Sequence, residues 1–207
     1  MKTLRTFSLA VLAGVAIAIG GVVFLSCDNK FVGASLFAVG LLAVCTFGLN
    51  LYTGKVCYVL DNPPAYILDV LLIWLGNLVG TSATGLAIRA TRLTGVVEKA
   101  YELCQVKLGD DLISIFILSM FCNMLIYLAV ENYKNNPHEL GKYMAIYFGV
   151  VVFIMAGFEH CVANMFYFTV GGCWSGKTLL YLIVMTLGNA VGGLVFPVLR
   201  RIGIQKT

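Results

Sequence analysis

Long apolar stretches broken by short polar ones run the length of this chain, and they divide it into six segments. Their approximate limits are Phe7–Leu25, Phe31–Leu60, Tyr66–Ala90, Leu112–Val130, Tyr143–Val170 and Thr178–Leu199. About 20 apolar residues in a helix cross a hydrocarbon core of about 30 Å, so each segment is long enough to span a bilayer. The second and fifth are too long for one upright crossing, and each carries glycine and polar residues near its centre. The pattern therefore predicts six membrane helices, the second and fifth interrupted. Pro63-Pro64 separates the second segment from the third, where proline suits a turn better than a helix interior. Thr91–Asp111 reads as the longest hydrophilic connector, joining the third segment to the fourth, and Glu131–Lys142 joins the fourth to the fifth.

The interruptions repeat. Gly48-Leu49-Asn50-Leu51-Tyr52-Thr53-Gly54 breaks the second segment and Gly157-Phe158-Glu159-His160 breaks the fifth. The third and sixth segments share Gly76-Asn77-Leu78-Val79-Gly80 and Gly188-Asn189-Ala190-Val191-Gly192. The step along the chain from Gly48 to Gly157 nearly equals the step from Gly76 to Gly188. One Gly-x-x-x-Gly alone marks only close helix packing. Two features recurring at nearly one offset mark a duplication, with repeats at about 7–90 and 112–199 inside a single transmembrane domain spanning 1–207. Each repeat has three spans, an odd number, so the halves enter the membrane in opposite directions. Inverted repeats with broken helices at matching places point to a substrate site between them.

Composition agrees with an all-α integral membrane protein. Of 207 residues, 60% are hydrophobic and 12% charged, where a soluble domain has about 25% charged residues. No stretch is long and polar enough for a catalytic or nucleic-acid-binding module, and the net charge of +4 needs no nucleic acid to explain it. Lys2 and Arg5 ahead of an apolar run resemble a secretion signal, but Phe7–Leu25 is longer than a signal core. With both termini on the cytoplasmic side, that side holds seven basic residues (Lys2, Arg5, Lys134, Lys142, Arg200, Arg201, Lys206) against six opposite, which favours termini inside by one charge. Lys55 falls within the break and is left out of the count. The seven cysteines form no C-x-x-C pair, and neither a metal centre, a cofactor motif nor a disulfide framework is visible.

Within Tyr143–Val170 the charged or imidazole side chains beyond the first residues are Glu159 and His160 alone. An ionisable group at membrane depth is costly and is read as functional by default. His160 has an ordinary pKa near 6.5 and is suited to proton exchange near neutrality. Glu159 is expected to satisfy backbone donors freed at the break, beside Gly157, rather than to line a pore. His138 lies in a polar connector and reads as solvated. Asp110-Asp111 stands at a helix start, where acids suit the dipole.

The residues resemble the formate/nitrite transporter family over nearly the whole chain. The resemblance rests on Leu51-Tyr52-Thr53-Gly54, Gly76-Asn77, Cys122-Asn123 with Leu128-Ala129-Val130, the string Gly157-Phe158-Glu159-His160 followed by Ala163-Asn164-Met165, and Gly188-Asn189. It implies a homopentamer of aquaporin-like protomers in a prokaryotic inner membrane, each with its own pore for small monovalent anions (formate, nitrite or hydrosulfide). It places His160 at the pore centre, Thr53 on the broken second helix, Asn123 on the fourth helix and Lys107 at the outer vestibule. It also places hydrophobic constrictions at Leu41 and Phe153, with Phe37 beside one of them. Departures are Asn50, where the family usually has an acid, Cys161, where it has serine, and the short Met1–Thr6 before the first span.

On these residues an anion is drawn in by Lys107, loses water as the pore narrows, and becomes easier to protonate because desolvation raises an acid's pKa. The neutral acid then passes the constrictions, and His160 handles the proton, either as donor or by organising hydrogen bonds. Formate is the expected substrate. Two rival readings are an aquaporin-type channel for neutral solutes, without its Asn-Pro-Ala repeats, and a membrane-embedded thiol enzyme using Cys161 and His160, whose adjacency in sequence suits a nucleophile–base pair poorly.

Overall fold

The computed structural model describes residues 2–204 and is helical throughout its regular elements. Four helices cross without interruption: α1 (Lys2–Ser26), α4 (Tyr66–Arg89), α6 (Leu112–Asn135) and α9 (Gly176–Ile204). The other two crossings are each split, α2 (Lys30–Thr46) with α3 (Tyr52–Val56), and α7 (Glu139–Met155) with α8 (Cys161–Val170). The expected six spans, with the second and fifth broken, are thus present. A further helix, α5 (Thr94–Gly109), occupies the stretch read from sequence as a hydrophilic connector. Its buried stripe is Val96, Ala100 and Cys104, each one turn after the last, and it rests on α8 and α1.

Six crossings place both ends of the chain on one face, here the terminal face; α5 lies on the opposite one. Arg201 bridges Asp61 on the terminal face, and Lys2 meets Asp69 there at 3.7 Å. Lys206, counted above with that face, lies outside the described residues. On the α5 face, Arg89 donates to the Val170 carbonyl at 2.8 Å, joining the ends of α4 and α8. Asn29 caps α2 through its side chain, and Asp111 caps α6 by accepting from Ile113 and Ser114, as its position at a helix start implied.

The repeat is visible in the packing. Helix α1 packs on α4 and α2 as α6 packs on α9 and α7, and α2 meets α7 across the pseudo-symmetry axis. The duplicated glycines lie in these seams. A Cβ on Gly76 would come within 2.6 Å of Ala10, and one on Gly188 within 2.7 Å of Ser119, the counterpart of Ala10 in the second repeat. Small residues let membrane helices approach closely, where little hydrophobic force draws them together.

Candidate functional site

Both breaks are built alike. The first half-helix ends on a glycine of positive φ, Gly48 at 63° and Gly157 at 75°. That region strains any residue with a Cβ, so glycine turns the chain here at least cost. The residue after each glycine folds back to the helix end, Leu49 N–H to the Val44 carbonyl and Phe158 N–H to the Phe153 carbonyl, both at 2.9 Å. Just past these residues the backbone is fastened to the neighbouring long helix, Asn50 N–H to the Leu9 carbonyl and Glu159 N–H to the Leu118 carbonyl, both at 3.3 Å.

An asparagine from the duplicated motif then locks each break. Asn77 accepts from the Tyr52 N–H at 2.8 Å and donates to the carbonyls of Asn50 (2.9 Å) and Ala10 (2.8 Å). Asn189 accepts from the Cys161 N–H at 2.9 Å and donates to the carbonyls of Glu159 (2.8 Å) and Ser119 (2.7 Å). Both side chains are completely buried. An unpaired amide in hydrocarbon costs several kcal/mol, which is why irregular backbone at this depth needs such a clamp. The clamp takes up the first amide of each second half-helix, Tyr52 and Cys161, while the Thr53, Gly54 and Val162 N–H groups have no partner among the described residues. The expectation for Glu159 is corrected: the Cys161 N–H freed after its break is taken by Asn189, and the Glu159 carboxylate accepts from no backbone N–H.

That carboxylate instead receives the Lys107 ammonium on both oxygens, at 2.8 and 2.6 Å, and the Asn164 amide at 2.8 Å. Lys107 reaches it from the last turn of α5, with its side chain only 11% exposed and that of Glu159 5%. Lys107 is therefore a paired cation at the edge of a cavity rather than a free one. Asn50 is the counterpart of Glu159 in the first repeat and carries no charge; its amide donates to the Thr6 carbonyl at 3.1 Å.

His160 caps α8. Its Nδ1 accepts from the Ala163 N–H at 3.1 Å, and its Nε2 lies 3.0 Å from Thr53 Oγ1. An amide can only donate, so Nδ1 is the bare nitrogen, and in the neutral ring the proton sits on Nε2 and points to Thr53. The threonine hydroxyl, accepting from His160, keeps its own proton for another acceptor. Phe153 stacks on the imidazole with ring centres 5.7 Å apart, and Phe37 meets Phe153 edge-on at 6.2 Å.

Two cavities flank this centre. On the α5 face, about 100 Å³ is lined by His160, Phe153, Lys107, Asn164 and Tyr167, together with Lys30, a residue the sequence pattern does not single out. Lys30 donates to the Met155 carbonyl at 3.1 Å, a cation at the C-terminal end of α7, where the helix dipole favours it. On the terminal face, about 120 Å³ is lined by Leu41, Leu51, Cys45, Tyr133, Lys55 and Lys134. Leu41 and Phe153 thus belong to different cavities, and both are buried, as is Phe37. Asn123 stands apart from the His160–Thr53 pair, although Thr53 and Phe37 also line neither cavity. It lines neither cavity and donates to the Asn189 carbonyl at 2.7 Å and to Cys57 Sγ at 3.7 Å, while its Oδ1 has no partner. Cys161, buried behind His160, also lines neither.

A family model described as formate/nitrite transporter matches residues 1–202. The chain belongs to the formate/nitrite transporter family. It is 33% identical over 197 residues to a probable formate transporter of Methanothermobacter thermautotrophicus, covering 81% of this chain and 72% of that one. It is 29% identical over 183 residues to an uncharacterized transporter, YrhG, of Bacillus subtilis, covering 81% and 69%. Among solved structures it is similar to a pentameric formate channel with formate bound, with a TM-score of 0.84 and 25% identity over 100% of this chain and 98% of that one. A second similar structure, an FNT family ion channel, has a TM-score of 0.83 at 24% identity over 93% and 87%, and shares the fold. The protein is accordingly a multi-pass membrane protein of a transporter family.

Proposed function

We propose that each protomer is a pore for small monovalent anions of weak acids, formate foremost, with passage assisted by proton exchange at His160. The observation that carries this reading is the His160–Thr53 hydrogen bond, held between two cavities that each abut a buried apolar side chain, Leu41 or Phe153. A bare anion crossing Leu41 and Phe153 would lose its hydration without compensation. A neutral acid would not, and its oxygens would meet the free proton of Thr53. The imidazole lines the cavity by which an anion arrives from the α5 face, within reach of a proton exchange there. Formate leads because one similar relative is a probable formate transporter and the similar pentameric structure is a formate channel with formate bound. Nitrite and hydrosulfide belong to the same chemical class.

The likeness to a pentameric channel supports a homopentamer, which we place in a prokaryotic cell membrane. Apolar side chains such as Leu71, Phe148 and Leu187, about half exposed in the single chain, suit lipid or neighbouring protomers. Termini in the cytoplasm fit the basic residues of the terminal face.

Uptake of labelled formate into liposomes containing the purified protein, with and without an inward proton gradient, tests the reading. The gradient is expected to accelerate uptake, and His160→Asn to abolish that acceleration. Undiminished, pH-independent formate flux in His160→Asn overturns the role of the histidine. Water or glycerol flux without formate flux overturns the anion reading. Side-by-side fluxes of formate, nitrite and hydrosulfide rank the substrates.

A further inference from the structure

The terminal-face cavity differs from its repeat counterpart in charge. On the α5 side, the break supplies a carboxylate, Glu159, and α8 supplies an amide, Asn164; together they hold Lys107. Aligning Gly48 with Gly157 sets Asn50 against Glu159 and Lys55 against Asn164. Where one repeat has an acid the other has an amide, and where one has an amide the other has an ammonium. Lys55 projects from α3 into the cavity, half-buried, and Lys134 enters the same cavity from the end of α6.

Neither lysine forms a salt bridge among the described residues. Glu131, one turn before Lys134, is engaged elsewhere: it accepts from the Tyr58 hydroxyl at 2.9 Å and from Arg200 at 3.4 Å. Lys134 rests over the Tyr58 ring at 3.8 Å, which leaves its N–H donors unpaired with any anion. The remaining cavity wall is apolar or neutral: Leu41, Val44, Leu49, Leu51, Cys45 and Tyr133. Lys55, half-buried in this mostly apolar cavity, lacks the partner that a partly buried charge ordinarily has, and Lys134, more exposed at its edge, adds a second cation without one.

We propose that this cavity is a binding site for one small monovalent anion (a carboxylate, nitrite-like oxyanion or halide), held in its ionised form between Lys55 and Lys134. The identity of the permeant species rests on the pore reading above, whereas the site itself does not. Adjacent cations lower the pKa of a bound weak acid, so the anion stays charged here and is neutralised only beyond Leu41. The two mouths then act differently: the terminal one collects anions on two lysines without a carboxylate, and the other presents Lys107 neutralised by Glu159 beside a single uncompensated cation, Lys30, held on the Met155 carbonyl.

Line broadening of ¹³C-formate by the purified protein in neutral detergent, with bromide as competitor, tests this. Wild-type protein should give saturable broadening that bromide displaces. Lys55→Asn, which installs the residue of the other repeat, should weaken apparent affinity about tenfold, the scale of one lost charge contact. Lys134→Gln should weaken it less, and Lys55→Arg should preserve it, which separates lost charge from lost folding. His160→Asn should leave the broadening in place even if formate flux fails. Equal affinity in Lys55→Asn and wild type overturns the site, as does broadening that vanishes in His160→Asn but survives both lysine substitutions.

Discussion

The break around Gly48 and the break around Gly157 share a backbone and differ in what that backbone carries. Each has a glycine of positive φ, a fold-back bond, a tie to the long helix and an asparagine with three hydrogen bonds. On that common frame the first break presents Asn50, Leu51 and Lys55, and the second presents Glu159, His160 and Asn164. Backbone polar groups in a membrane must be satisfied whatever the chemistry nearby, so the clamp is the same in both halves. Side chains facing the cavities have no such obligation, and there the halves diverge: one holds the imidazole, a lysine neutralised by Glu159 and Lys30 on a carbonyl, the other two lysines without a carboxylate.

The likeness of the two halves is broken most severely at the clamps. Asn189→Ala leaves the Cys161 N–H and the Glu159 carbonyl unsatisfied at membrane depth, at about 1–3 kcal/mol for each group, and Asn77→Ala does the same to the Tyr52 N–H and the Asn50 carbonyl in the other half. Both variants should lose most of the folded protein on detergent extraction, followed by fluorescence-detected size exclusion. A large loss in one and none in the other would show the clamps to be unequal.

Glu159→Gln comes next. It leaves Lys107 unpaired in a buried place, a loss of about 3–5 kcal/mol, whereas Asn50→Ala forfeits one bond to the Thr6 carbonyl, about 1 kcal/mol. Thermal unfolding in detergent should rank them in that order, and Glu159→Gln with Lys107→Gln should recover part of the loss.

Gly48→Ala and Gly157→Ala should each cost about 1–2 kcal/mol and be nearly equal. A Cβ at either position meets nothing within 4 Å, so backbone strain is the whole effect. Unequal shifts in the same melting assay would mean the two turns are held differently.

The smallest effect is at the tether of α5. Lys99, 2.9 Å from Asp28, holds that carboxyl below its ordinary value, first through the hydrogen bond and then through its charge. A lowered carboxylate pKa stabilises the fold at neutral pH, and the contribution is lost as pH falls through the carboxylate range. Asp28→Asn should flatten only a slight acid-side slope in melting temperature, since the carboxylate is fully exposed.

Much of this arrangement is legible in the sequence because it follows from hydropathy and repetition. The six spans, the two glycine turns and the shared offset between the repeats need no tertiary information. The glycines of Gly76–Gly80 and Gly188–Gly192 read correctly as close-packing positions, but the pattern alone gives the asparagines between them no role. That role depends on which loop lies opposite, which local pattern does not encode; the signal available is a polar residue duplicated inside an apolar span. Helix α5 reads as a connector because charged residues mask a short buried stripe, Val96, Ala100 and Cys104. The pairing of Lys107 with Glu159 and the meeting of Lys55 with Lys134 depend on helices that touch only in the folded protein.

The proton of His160 decides between these readings. The chain has two histidines, so ¹⁵N-histidine spectra of the protein in lipid, with His138 replaced by glutamine, report His160 alone. At neutral pH they should show a neutral ring with the proton on Nε2 and a bare Nδ1 accepting from Ala163. A proton on Nδ1, or a doubly protonated ring, would contradict it.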